Sequence, residues 1–231
     1  APTRLAGRFG WRAETTARVD HNILRDEVTP ITAPWRLLAK LSIEYVSLDR
    51  KKSEYSSEEL KRVTLERSDT YETDFTIYTD GSTDARQENG GAGMSIEDGI
   101  KDVVFEASFP AGKLCSSYTG ECVAMLEAVK WIRLKENEIG ALKVLICSDS
   151  KSLADALRLN HWKDNDPWVK KIKELVYDMQ SEMTLLWVPS HCDVDGNERA
   201  DELANLGTEL DQSGTPVIHK IVKAKIKNRT W

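Results

Sequence analysis

"FTIYTDGS", residues 75–82, is the stretch on which the fold turns. Phe75–Thr79 alternates and is rich in β-branched and aromatic residues, which reads as a half-buried strand. Asp80-Gly81-Ser82 reads as its stop, and an Asp-Gly pair taken alone is ordinary turn chemistry. The pattern downstream gives that strand its setting. "GGAGMSIED" (90–98) and "KDVVFEASF" (101–109) read as two more strands joined by a turn at Asp98-Gly99. Cys122, Met125, Leu126, Val129 and Ile132 recur at helical spacing and predict an amphipathic helix over about 118–135. "KVLICS" (143–148) is a short buried strand, and Leu153 and Leu157 mark a second helix with Ser150 near its cap. Asp166-Pro167 opens a third helix with a cap and a first-turn proline, carrying Trp168, Ile172, Leu175, Val176 and Met179 on one face. "TLLWVP" (184–189) is a fifth strand. A last helix follows Gly196, with Ala200, Leu203 and Ala204 inward and Gly207 as its stop. Three antiparallel-type strands followed by alternating helix and strand predict a mixed α/β fold, a five-stranded sheet flanked by helices.

The chain has 231 residues, 40% hydrophobic and 30% charged, enough for one domain with an appended segment or for two small domains. We divide it into a connector, 1–73, which packs partly on the body; a body, 74–208; and a basic tail, 209–231. Within the connector, "TAPWRLLAKLSIEYVSLDRKKSEY" (32–55) combines a Pro-Trp turn, a strand-like apolar stretch and the basic cluster Arg50-Lys51-Lys52. Ser56 or Ser57 caps a short helix in "SSEELKRVTLERSD" (56–69). No apolar run approaches the ~20 residues that span a bilayer, and the start has no secretory pattern. The expectation is an intracellular protein without membrane association, nuclear or cytoplasmic. The Arg-rich start also fits a transit remnant, which leaves the mitochondrion open, although a plain boundary is the simpler reading. Cys115, Cys122, Cys147 and Cys192 form no CxxC pair, which argues against zinc. Cys122 and Cys147 fall in apolar patterns and read as reduced core thiols. Cys192 lacks a nearby orienting base in the pattern and is a poor nucleophile candidate.

Net charge is −6, but residues 71–210 hold 14 Lys and Arg against 26 Asp and Glu, a balance of −12. On charge alone this body does not look like a nucleic-acid binder. If it handles nucleic acid, metal ions must supply much of the missing positive charge.

Four acids are oddly placed in that scaffold. Asp80 ends the first strand and Asp149, in "LICSDS", ends the fourth. Glu121 flanks the apolar stripe of the first helix, and Asp201 lies on the last helix between Ala200 and Leu203-Ala204. Singly, each has an ordinary explanation: a turn, a helix cap, a first-turn dipole partner, an ion pair with Arg199. Jointly these explanations do not say why all four fall on core-adjacent positions. If strands one and four are neighbours, Asp80 and Asp149 project from one sheet edge, and the helices carrying Glu121 and Asp201 close over it. Four carboxylates together repel and raise one another's pKa, which divalent cations relieve. An all-oxygen site suits magnesium or manganese. His191 sits ten residues before Asp201 in a polar loop, where an imidazole can pass a proton or simply be solvated.

"YTDGS", "SSYTGECVAMLEA", "ICSDS" and "VPSHCDVDGNERADELA" resemble the type 1 ribonuclease H family over residues 74–208. They are similar, more closely, to the ribonuclease H domains behind the reverse transcriptases of non-LTR retrotransposons. The resemblance implies a ribonuclease-H-like sheet of order 3-2-1-4-5 and a two-metal site using Mg2+, with Mn2+ as a substitute. It implies that Asp80 bridges both ions, that Asp201 completes the ion activating the attacking water, and that Glu121 and Asp149 hold the ion on the leaving-group side. His191 matches the loop histidine that assists product release or proton transfer. The substrate implied is an RNA/DNA hybrid, cut in its RNA strand to leave a 5′-phosphate, with a reverse transcriptase domain as a partner in the same polyprotein. Gly81, Ser82, Ser116 and Ser117 become candidate contacts to the nucleic acid, with 2′-hydroxyls read in the minor groove. Ser116 and Ser117 read equally well as a capping cluster. The chain departs from some relatives in one respect: "LRLNHWKDNDPW" (157–168) is too short for a basic DNA-gripping helix. Lys223, Lys225 and Lys227 of the tail, with Arg50-Lys51-Lys52, are the candidate replacements. The alternative function is a non-catalytic or domesticated scaffold of the same fold, and the four intact acids argue against it.

Overall fold

The computed structural model describes residues 41–84, 88–159 and 166–214, together with the backbone of 23–24 and 217–218. The order is β1 (Ile23–Leu24), β2 (Leu41–Tyr45), α1 (Ser57–Ser68), β3 (Phe75–Thr83), β4 (Asn89–Asp98), β5 (Val103–Lys113), α2 (Ser117–Ile139), β6 (Lys143–Ser148), α3 (Lys151–Arg158), α4 (Pro167–Tyr177), β7 (Glu182–Trp187), α5 (Asp195–Glu209) and β8 (Val217–Ile218). β1 and β8 pair with each other in parallel.

The main sheet runs β2-β7-β6-β3-β4-β5. β3, β4 and β5 are antiparallel, whereas β6 and β7 join β3 in parallel. The five strands read from the sequence therefore lie in the order 3-2-1-4-5, and a sixth, β2, extends the edge beyond β7. That strand comes from the segment read as a connector. Its register, Leu41 opposite Met183 to Tyr45 opposite Trp187, continues into a bond from Val46 N–H to the Trp187 carbonyl at 3.0 Å.

Strand alternation sends successive side chains into two cores. Ile77, Val144, Ile146, Met183 and Leu185 pack under α2, α3 and α4 with Met125, Ile132, Leu153, Trp168 and Ile172. Tyr78, Leu145, Cys147 and Leu186 face the other way, onto Ala200 and Val194 of the α5 side and onto Val46 and Leu60. α1 starts at a capping box in which Ser56 Oγ accepts from Glu59 N–H at 3.2 Å and Glu59 accepts from Ser56 N–H at 2.8 Å. Truncating its buried Leu60 to Ala should cost about 2–5 kcal/mol, the range for a buried leucine. α4 starts at Asp166, which accepts from the N–H groups of Trp168 and Val169, with Pro167 in the first turn. Asp98 closes the β4–β5 turn by accepting from the Ile100 and Asp102 N–H groups, each at 3.0 Å.

Among the differences from the sequence reading are three element ends. The first strand does not stop at Asp80; it runs through Gly81 and Ser82 to Thr83, because Gly93, Ala92, Gly91 and Gly90 of β4 continue the ladder opposite them. α2 runs to Ile139, four residues past the expected end, where Gly140 at φ 95° takes the C-cap. Gly207 does not end α5. It lies inside the helix, where a Cβ would press on the Phe109 carbonyl and the Ala92 N–H, so its smallness serves helix–sheet contact. Among the described residues no helix is long and apolar enough to cross a membrane.

Candidate active site

Asp80 sits within β3, opposite Gly93 on β4, where the parallel pairing of β3 with β6 ends at Thr79 and Ser148. Asp149 is the next residue of the β6 chain. Its carbonyl accepts from Trp187 Nε1 at 2.9 Å and from Lys151 N–H at 3.0 Å, which fixes the strand-to-helix corner. Glu121 lies one turn into α2. That turn rests directly on β3, with Gly120 against Gly81, and Ser117 Oγ donates to the Gly81 carbonyl at 3.0 Å. Asp201 is on α5, which lies against β4 through Ala200 and Ala204 over Gly91 and Gly93.

These placements converge. Carboxylate oxygens of Asp80, Glu121 and Asp149 lie within 4.8 Å of one another. Glu121 and Asp201 both come within hydrogen-bonding reach of the Asp80 carboxyl. Asp80 and Glu121 are buried and Asp149 is half-buried. Burial, then the Asp149 charge, then the Asp201 carboxyl push the Asp80 pKa up to about 7. Burial followed by the charges of Asp80 and Asp149 raises Glu121 well above the ordinary carboxylate range. Asp149 is also raised by burial, against the pull of His191 and Lys52 nearby. Arg199, the ordinary partner considered for Asp201, instead pairs with Glu106 and Glu202 at 2.7 Å each. Among the described residues no ion pair neutralises any of the four acids.

The donor set fits a divalent cation. It is all oxygen, it carries several formal negative charges in a partly desolvated corner, and Glu121 Oε2 is buried without a hydrogen-bond partner. Two carboxylates facing each other require a shared proton or a cation between them.

His191 is exposed in the loop between β7 and α5, in the left-handed region at φ 52°, and Asp193 follows at φ 55°. Cys192 between them is fully buried in the α1-side core, so this loop is anchored through its middle. Ser116 caps α2, accepting from Thr119 N–H at 3.2 Å. Ser82 Oγ donates to Asn205 Oδ1 at 2.5 Å. Lys223, Lys225 and Lys227 lie outside the described residues. One residue near the acids was not placed there by sequence reasoning. Lys52 Nζ donates to Ser190 Oγ at 2.6 Å, next to His191. The basic cluster was visible, but nothing local indicates a neighbour 138 positions away.

The RNase H family profile matches residues 72–209. Ribonuclease H of Hyphomonas neptunium is 29% identical over 145 residues, covering 58% of this chain and 91% of that protein. Ribonuclease H of Neisseria meningitidis is 28% identical over 145 residues, covering 57% and 92%. Among solved structures, LC11-RNase H1, isolated from compost by a metagenomic approach, superposes with a TM-score of 0.50 at 22% identity. It covers 58% of this chain and 95% of its own, and shows the shared fold. With the family profile spanning more than half of its length, the chain belongs to the RNase H family.

Proposed function

We propose that this chain is a metal-dependent endonuclease that hydrolyses the RNA strand of RNA/DNA hybrids, with Asp80, Glu121, Asp149 and Asp201 as its metal-holding and catalytic carboxylates. The observation that carries the reading is the convergence of the first three within 4.8 Å around a buried, unpartnered Glu121 oxygen, in a chain of this family. Asp80 is the hub, because Glu121, Asp149 and Asp201 each act on it. Two divalent ions, magnesium or manganese in its place, would supply water activation and charge stabilisation for an in-line phosphoryl displacement. The carboxylates' part is to orient that chemistry, on backbone fixed by the β3–β6 pairing, the Gly81–Gly120 contact and the Trp187–Asp149 bond. Glu121 and the neighbouring backbone would face the minor groove of the bound hybrid and sense its 2′-hydroxyls. Gly81 and Ser82 on β3, with Ser116 and Ser117 at the start of α2, would line the nucleic acid.

The deciding experiment incubates the chain with labelled RNA/DNA hybrid, RNA duplex and DNA duplex, with and without magnesium. Magnesium-dependent cleavage of the hybrid's RNA strand alone is the expected result. Cleavage of none of them would leave the non-catalytic scaffold. His191→Ala should slow turnover without abolishing it. A positioned proton-transfer group is worth ~10²–10⁴-fold, and less where it only speeds product departure. Complete loss of single-turnover cleavage would make His191 essential to the chemistry, contrary to this role.

A retrotransposon-type polyprotein, with a reverse transcriptase domain beside this one, is the context suggested by the wording of the four motifs. It also explains how an acidic body would hold a polyanion. Weak hybrid affinity of the isolated chain at physiological salt supports a grip supplied by a partner; tight affinity argues against it.

A further inference from the structure

The segment before the family-matched region reaches the loop that carries His191, beside the acid cluster. After β2, the chain passes along the end of β7 and turns through the short helical turn Lys52–Glu54 into α1. This corner is held firmly. The Asp49 carboxylate and Tyr55 hydroxyl are hydrogen-bonded, and Arg50 lies over the Tyr55 ring at 4.2 Å while pairing with Glu59 at 2.7 Å. Farther on, Lys61 pairs with Asp195 at the start of α5 at 2.8 Å. Val46 and Leu60 share a buried core with Cys192 and Val194 of the histidine loop. The loop carrying His191 is thus bracketed by Lys52 on Ser190 and by Lys61 on Asp195.

Of these cations, Arg50 and Lys61 are committed to carboxylates. Lys52 is exposed, and among the described residues its ammonium has one hydrogen bond, to a neutral hydroxyl, and no ion pair. An ammonium with three donors, one of them on Ser190, stands next to His191 with its charge felt by Asp149 and two donors left for a ligand. We propose that Lys52 is a substrate-binding residue, its ammonium taking a backbone phosphate of the nucleic acid beside the one that is cut. This deepens the hybrid-nuclease reading and rests on it. It makes the strand–turn–helix of residues 41–68 part of the active site and supplies positive charge where the body carries −12. A lysine serves here as a point charge on a flexible stem, so arginine should substitute for it in large part.

The test uses the full chain with Lys52→Ala and Lys52→Arg. Steady-state cleavage at saturating magnesium separates kcat from KM. In the Glu121→Gln background, which should bind without cutting, anisotropy of a labelled hybrid over a salt series gives affinity. Lys52→Ala should raise KM and Kd roughly fivefold and flatten the salt slope by about 0.9, the weight of one phosphate contact. It should change kcat less than about threefold and leave Tm unchanged, and Lys52→Arg should recover most of the affinity. If KM, Kd and slope all match the parent, Lys52 does not touch substrate. If only the magnesium midpoint shifts, Lys52 merely offsets the Asp149 charge and the proposal also falls. A chain that binds hybrid with a Lys52-dependent slope yet never cuts it would overturn the nuclease reading alone. A chain that neither binds nor cuts would overturn both.

Discussion

Asp80→Asn should lose at least about a thousandfold in hybrid cleavage while making the metal-free protein more stable at pH 8. The first half follows from its place as hub: an amide cannot serve as an anionic ligand, and charge stabilisation at the reacting phosphate is worth several kcal/mol. The second half follows from burial. The Asp80 pKa rises from its ordinary 3.8 to about 7 in the folded chain, chiefly because the charged form is desolvated. The folded state therefore holds this proton more tightly than the unfolded state. Its contribution to stability is fully present below about pH 3.8 and is lost as pH rises through about 7. At pH 8, with metal chelated, wild type carries a penalty on the order of 2–4 kcal/mol that a neutral isostere avoids. In a chain of this size that corresponds to several degrees in Tm. Thermal melts in chelator from pH 4.5 to 8 should show the variant's advantage growing with pH. Added magnesium should raise the wild-type Tm and have less effect on the variant, since only a state that binds the ion gains from it. Cleavage within tenfold of wild type, or a metal-free variant less stable than wild type at pH 8, would sink the assignment.

Much of this arrangement was legible in the sequence, and the parts that were not share a physical cause. Period-2 strands and the stripe from Cys122 to Ile132 gave the five-stranded sheet, because burial on one or two faces writes itself into local pattern, whereas its order came only with the family resemblance. The three clustered acids were legible because a carboxylate next to a buried run is costly and so stands out against its neighbours. Asp80-Gly81-Ser82 misled because its turn chemistry is real, yet the glycine is there for helix contact and the strand continues opposite "GGAG". Gly207 misled in the same way: a glycine near a helix end is a stop by base rate, and only the sheet beneath it shows why it is small. β2 and Lys52 were beyond local reading altogether. Leu41–Tyr45 is never fully buried, so its pattern is weak, and its partner strand lies some 140 residues away.

Gly81→Ala should cost roughly 2–4 kcal/mol and lower hybrid cleavage about a hundredfold, although a methyl group carries no chemistry of its own. A Cβ on Gly81 would stand closer than 3.0 Å to the Glu121 nitrogen, the Gly120 carbonyl carbon and the Glu121 Cα. All three are backbone of the first turns of α2, so no flexible side chain can swing away to make room. Gly120 in turn lies against Gly81 Cα and the Gly91 carbonyl, so the helix cannot slide along the strand into open space. The turn must lift, and overpacking a close backbone contact costs about 1–3 kcal/mol or more. Lifting it also weakens the Ser117 hydroxyl's bond to the Gly81 carbonyl and moves Glu121 away from Asp80. A misplacement near 1 Å at a reacting centre is worth about 10²-fold. Gly214→Ala is the control, since a Cβ there meets no atom of the described residues within 4 Å, and it should leave both quantities unchanged. Chemical denaturation and single-turnover cleavage of the two variants separate the possibilities. A Gly81→Ala protein as stable as wild type would show that the helix does not rest on the strand as described. One that is destabilised but cuts at the wild-type rate would show that Glu121 is held by something other than this contact.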